Sequence, residues 1–221
     1  MCRQAHLIDA VAKLHPVPAP SGPHAGDLKQ SVVTNLGAFE RLSSSLAQTP
    51  AAVALVVISD SHGRLCVPIF QRTSDMSRHA GQMALPGGKR QAGEAAADCA
   101  VRELHEELGL EVDPSGVVGQ LDDFDTRSGF TITPVVIWSG AVVSLTPSQF
   151  EVARLFMVPL VELEAAVANA EPGRSTAFSL RLSAVEVFAP TAAILYQFSE
   201  VALHGRGVRV ADFYQPPWTH R

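Results

Sequence analysis

Three glutamates, Glu103, Glu106 and Glu107, and one arginine, Arg102, stand within six consecutive positions of a 221-residue chain. On a helix, about 100° per residue puts the three carboxylates in an arc about 100° wide, while Ala97, Val101, Leu104 and Leu108 gather on a different face. Three ionised carboxylates this close repel one another, and a fold tolerates them if they stay solvated, share a proton or hold cations. Oxygen donors of this kind suit Mg²⁺ or Mn²⁺, which leave positions for water and phosphate. Glu103 and Glu107, one turn apart, are the natural pair. Arg102 can hold a carboxylate in one rotamer through bidentate hydrogen bonds. Taken alone, the run also reads as a solvated acidic face.

The element that must position these groups is a helix. Glu94 to Leu108 has no proline or internal glycine and is rich in alanine, leucine and glutamate, all good helix formers. Gly109 offers a left-handed cap, with Leu110 placed to fold back on the last turn. His105 falls away from the carboxylate arc and reads as solvated.

From Gly88 the chain runs through five residues to Glu94, through seven more to Arg102-Glu103-Leu104, then His105, Glu106-Glu107, Leu108 and Gly109-Leu110. This resembles the Nudix box, GX5EX7REUXEEXGU with U aliphatic, at all nine specified positions. The resemblance implies an α/β fold, an α/β/α sandwich with a mixed β-sheet between helices, that hydrolyses a nucleoside diphosphate linked to another group. It also implies Mg²⁺ or Mn²⁺ held by Glu103, Glu107 and Glu106. Glu106, and as an alternative Glu151, is then the general base, and Glu94 and Arg102 orient the carboxylates.

The preceding loop, Arg72 to Gly88, is polar at first, carries a short strand near Met83 to Leu85 and closes on Pro86-Gly87-Gly88, read as a tight turn into the helix. A Walker-type phosphate loop is excluded, because GXXXXGK[ST] ending at Gly88-Lys89 would need glycine at Met83 and a hydroxyl at Arg90. The loop resembles the segment RSXXLRXHXGQXXFPGG that marks coenzyme A pyrophosphatases among Nudix proteins. Arg72, His79, Gly81, Gln82, Pro86, Gly87 and Gly88 match in register, while Thr73 and Ser77 depart from it and Arg78 follows one place late. That resemblance implies coenzyme A or a derivative as the small-molecule substrate, with Arg72, Arg78 and Lys89 toward its phosphates and His79, Gln82, Gly87 and Gly88 near it. Another nucleotide such as ADP-ribose, or a non-catalytic nucleotide sensor, is the alternative.

The whole chain fits a soluble enzyme of one domain with extensions. It is 47% apolar and 18% charged, enough for one sizeable core. A net charge of −5 and a pI near 5.9 argue against general nucleic-acid binding. Cys2, Cys66 and Cys99 are too scattered for a disulfide framework, and no window approaches a membrane span. Asp9 and Lys13 interrupt the apolar residues of the start, so a cytoplasmic protein is expected.

Residues 1–50 read as an extension with helices at His6 to Leu14 and Ser31 to Leu46 and a proline-rich linker between. Residues 51–204 read as the hydrolase domain and 205–221 as a tail covering a core edge or a partner subunit, with a homodimer possible. Within the domain, Ala51 to Ser59 and Leu65 to Gln71 make a hairpin across Asp60 to Gly63, with Pro68 demoting the second strand to an edge or bulge. Val117 to Phe124 and Thr131 to Trp138 read as strands, and Val161 to Ala168 as a helix. Ser175 to Leu182 and Val185 to Phe188 read as a last hairpin before a helix reaching about Leu203. The runs from Ser128, Pro147 and Ala189 resemble further Nudix segments, the second with Glu151 in its glutamate position.

Overall fold

A computed structural model of the chain describes residues 25–220, apart from residues 47, 75–80, 143 and 172–175. The expected helix over His6 to Leu14, and with it Ser77, Arg78 and His79, lies outside the described residues.

The central strand, β1 (Thr49–Ser59), is a run of small and β-branched apolar residues that alternate between two cores. Ala52, Ala54, Val56 and Ile58 enter one, Leu55 and Val57 the other, as a period of two requires. β1 pairs in parallel with β7 (Phe130–Val142), from Thr49 opposite Phe130 to Val57 opposite Trp138. Its other neighbours are antiparallel: β4 (Gly87–Lys89) along Ala51 to Val53, and β2 (Leu65–Arg72) at Ile58 and Ser59 only. β2 pairs in turn with β3 (Met83–Ala84) and with β8 (Val152–Pro159), while β5 (Val117–Gln120) and β6 (Phe124–Asp125) pair with β7.

Helix α2 (Ala96–Leu108) covers one face of this mixed sheet through Ala96, Cys99, Ala100, Leu104 and Leu108. The other face carries α1 (Ala25–Ala38), α3 (Leu160–Ala168) and α4 (Thr191–Gln197), which continues as a π-helical turn through Leu203. The hairpin of β9 (Ser179–Arg181) and β10 (Glu186–Phe188) closes that side. The expected α/β sandwich with a mixed sheet between helices is therefore the architecture.

Several local expectations give way to tertiary contacts. The helix expected over Ser31 to Leu46 begins earlier, inside the stretch read as linker, and stops at Ala38. Beyond it Arg41 donates to the Leu121 carbonyl and pairs with Asp123, and the Leu42 N–H donates to Asp122 at 2.7 Å. These anchors take up the backbone that a longer helix would need. The strand expected over Val117 to Phe124 breaks between β5 and β6, because Asp122 turns to Gln197 and Arg209 and Asp123 to Arg41.

β2 as a whole is interior, but Pro68 faces Met157 of β8 on one side and on the other lies beyond the short β1–β2 register, so the strand is locally open there, as suits a residue with no N–H to donate. The tail folds back on the same chain, with Val210 buried and the Phe213 ring 4.4 Å from that of Phe178.

The largest correction concerns Pro86-Gly87-Gly88, which is no turn. Gly87 and Gly88 lie in strand β4, and neither has a positive φ. What excludes a side chain is proximity: a Cβ on Gly87 would sit 2.5 Å from the Ala52 carbonyl oxygen and 2.6 Å from Val53, and one on Gly88 would run into the Glu103 carboxylate. Gly87→Ala should therefore cost about 1–3 kcal/mol of stability, read as a lower denaturation midpoint. An unchanged midpoint would mean that β1 and β4 separate at no cost.

Candidate active site

Helix α2 ends as its sequence dictates. Gly109 adopts φ 65° and its N–H donates to the His105 carbonyl at 2.8 Å, while Leu110 folds into the core beside Leu108. At the other end Ala95 supplies no side-chain cap. The start is instead organised by Glu94, whose carboxylate accepts the Gln91 N–H at 2.8 Å and whose carbonyl accepts from Arg90.

Arg102 is the hub of the acidic face. It grips Glu94 bidentately, Nε to Oε1 at 2.8 Å and Nη2 to Oε2 at 3.1 Å. Its Nη1 also donates to Glu103 at 2.7 Å and to Glu106 at 3.0 Å. The hydrogen bonds from Arg102, then from Gln91, hold the Glu94 carboxyl down at about 2. The hydrogen bonds to Glu94 first, and then to Glu103, push the Arg102 guanidinium further above its ordinary range, with burial opposing.

Glu107 departs from the expected division into an acidic and an apolar face, for its side chain is 2% exposed. Its Oε2 accepts the Gly87 N–H at 2.8 Å and its Oε1 faces Arg72 Nη2 at 3.4 Å. Burial raises its pKa to about 8, with Glu103 and Glu151 adding repulsion and Arg72 and the Gly87 N–H opposing. Burial likewise raises Glu103, with Arg102 opposing and Glu106 and Glu151 adding to the rise. Glu151, just ahead of β8, thus faces both members of the pair. Ala97 and Val101, placed with the core by periodicity, are only half-buried, and His105 is exposed.

Those of the residues expected on the substrate side that the structure describes converge as well. Arg72, Gln82, Gly87, Gly88 and Lys89 all line one cavity of about 750 Å³. Arg72 spans its border: one nitrogen meets Glu107, while Nη1 is buried without a hydrogen-bond partner among the described residues. Most of the apolar wall, including Val53, Met83, Ile132, Phe156 and Ile194, belongs to the core on the far side of the sheet from α2. Carboxylates and cavity therefore lie on opposite faces and meet over the glycine strand. Among the lining residues that escaped the reading of the sequence are Arg154 and Trp218. Arg154, set over the Phe156 ring at 5.0 Å, sits where strand period alone assigns no role, and Trp218 lies in an aperiodic tail.

The donor set fits a hard divalent cation. Four carboxylates face one another, two with proton affinity raised by burial and mutual repulsion, and positive charge would relieve both effects. Among the described residues no three acidic, histidine or cysteine side chains close into a cage, since Arg102 holds Glu103 and Glu106 and the Gly87 N–H holds Glu107. A cation that keeps several waters, as Mg²⁺ does, suits this arrangement better than one needing a full set of protein ligands.

A mixed sheet between helices, with an acidic helix on one face held by this cap and clamp, defines an α/β sandwich protein with a carboxylate-rich site. Residues 49–180 match the family model described as the NUDIX domain, more than half of the chain, and the chain belongs to that family. Similar curated proteins include one named Uncharacterized Nudix hydrolase NudL from Pectobacterium atrosepticum, 36% identical over 116 residues, 52% of this chain and 59% of that protein. Another is Nudix hydrolase 3 from Caenorhabditis elegans, 27% identical over 146 residues, 62% of this chain and 61% of that protein. The chain thus spans about three fifths of the length of these curated relatives. Among solved structures, a NUDIX hydrolase from Alicyclobacillus acidocaldarius superposes with a TM-score of 0.48 at 13% identity, over 74% of this chain and 95% of that one. No helix among the described residues is long and apolar enough to cross a membrane.

The raised Glu107 has a measurable consequence. Between the ordinary value of 4.5 and about 8, the folded protein holds a proton that the unfolded chain has released, so this group's contribution to stability falls as pH rises through that window. In chelator-treated protein, unfolding free energy measured in denaturant should decline from about pH 5 to about pH 8 relative to Glu107→Gln, and divalent cation should reduce the decline. Parallel profiles for the two proteins would remove Glu107 as the source.

Proposed function

We propose that the protein is a metal-dependent pyrophosphatase that hydrolyses the diphosphate of coenzyme A or a coenzyme A derivative to 4′-phosphopantetheine and adenosine 3′,5′-bisphosphate. One observation carries the reading. The buried Glu107 and the half-buried Glu103, which repel each other, press against a glycine strand that also lines a cavity large enough for a nucleotide, with Arg72 at the border. The choice of coenzyme A is supported by the register of Arg72, Gly81, Gln82 and Pro86 to Gly88 with the coenzyme A pyrophosphatase segment.

A cation held by Glu103, Glu107 and Glu106 would supply charge neutralisation at the phosphoryl oxygens and a lowered pKa for water. The chain's own residues do the rest. Water attacks one phosphorus, its oxygen forming the new P–O bond as the bridging P–O bond breaks and the leaving phosphate takes the electron pair. Glu106, tethered to Arg102 and half exposed, accepts the water's proton, a contribution of about 10²- to 10⁴-fold. Glu151 is the other carboxylate placed for this task. Glu94 and Arg102 keep Glu103 and Glu106 in position, the role of the groups surrounding a metal's ligands. Arg72 and Lys89 face the diphosphate, Gln82 contacts the substrate, and Arg78 and His79 are assigned there by the motif.

Product analysis tests the reading. Incubated with Mg²⁺ or Mn²⁺ and with coenzyme A, ADP-ribose and NADH in parallel, the protein should release adenosine 3′,5′-bisphosphate from coenzyme A in preference to cleaving the others. Cleavage of the other two alone would keep the pyrophosphatase and discard the specificity, and no cleavage would favour a binding module. Glu107→Gln should fold and lose most turnover at saturating metal, and near-wild-type turnover would take it out of the chemistry. Arg72→Ala should raise KM for coenzyme A more than for ADP-ribose; an equal rise would make its role general.

A further inference from the structure

We infer that Trp218 is the platform on which the adenine ring of the substrate stacks. The inference rests on the nucleotide part of the proposed function and not on the choice of coenzyme A, since ADP-ribose carries the same base.

Of the two tryptophans, Trp138 is 4% exposed, whereas Trp218 is 47% exposed and stands in the cavity wall. It is carried by a 3₁₀ turn, Pro217–His220, that the tail brings back over the domain. Two cavity residues hold it there. Its ring meets Phe188 edge to face, with centroids 4.6 Å apart and planes at 82°, and its carbonyl accepts a hydrogen bond from Gln82 Nε2 at 3.4 Å. In an edge-to-face pair, Phe188 covers at most one face of the indole, and the side chain's exposure leaves area for a second flat ring.

A half-exposed indole in the wall of a cavity presents a large, rigid apolar surface that a ligand gains by covering. Adenine is the aromatic group of the proposed substrate; the pantetheine arm has none. Lys89 and Arg154 line the same cavity, and the Arg154 guanidinium lies over the Phe156 ring at 5.0 Å, a group suited to phosphate oxygens. An aromatic face and positive charge in one cavity match a nucleobase joined to phosphates. Trp218 lies outside residues 49–180, the part matched by the family model, so this platform is a property of this chain's tail.

The test is binding, followed without turnover on the full chain in chelator. Adenosine 3′,5′-bisphosphate and ADP should each quench tryptophan emission, and 4′-phosphopantetheine should not. By calorimetry, Trp218→Leu should weaken both adenine nucleotides by about five- to a hundredfold, Trp218→Phe should stay within about fivefold of wild type, and 4′-phosphopantetheine should bind all three proteins alike. Wild-type affinity of the leucine variant for ADP, loss of 4′-phosphopantetheine to the same extent, or absence of quenching in the wild type would each overturn the platform. Should coenzyme A resist cleavage while ADP still quenches Trp218, the specificity assignment falls and the platform stands. Should coenzyme A be cleaved while the leucine variant binds ADP normally, the platform alone falls.

Discussion

The structure depends on how closely a strand of two glycines approaches an acidic helix. Gly87 offers its N–H to Glu107, and Gly88 lies against Glu103 with no room for a Cβ. On its other side Gly87 is packed onto β1, so the same strand joins the sheet's centre to the helix's carboxylates. This contact takes Glu107 out of water, raises its proton affinity and makes the pair dependent on outside positive charge. Side chains at these positions would move the helix away from the sheet and return the carboxylates to solvent.

The surrounding cations are arranged unequally. Arg102 spends its donors on Glu94, Glu103 and Glu106, so the outer carboxylates are compensated and fixed. Arg72, by contrast, meets Glu107 at 3.4 Å through one nitrogen and leaves another buried without a partner among the described residues. A buried guanidinium nitrogen without an acceptor is unfavourable, and a phosphate oxygen supplies the acceptor it lacks. The inner side of the cluster is thus short of positive charge for its carboxylates and short of negative charge for its arginine, a combination that a metal-bound diphosphate would satisfy on both counts.

Sheet topology explains why the cavity and the carboxylates meet only over the glycine strand. β1 and β2 share only two register pairs before they diverge, and β3 and β4 enter from opposite sides of the opening. Apolar residues of the face covered by α3 and α4 build the wall, and the returning tail adds Gln215 and Trp218 to it.

What the sequence determined by itself is local. The helix, its left-handed cap at Gly109 and the contact of Arg102 with Glu106 follow from residue type and spacing, because helical neighbours three and four positions apart meet whatever surrounds them. The apolar run of β1 and the last hairpin follow from strand length and turn residues for the same reason. Only the tertiary structure decided the rest. Residues 86–88 read as a turn because glycine and proline mark turns, yet the strand there is set by a neighbour 34 positions away in sequence, Val53 opposite Gly87. Periodicity put Glu107 on an open acidic face, but burial is fixed by what the glycine strand and Arg72 bring against it. Trp218 carries no periodic signal, and its place beside Gln82 exists only once the tail has folded back: contacts of long sequence separation are made by packing, and no local pattern records them.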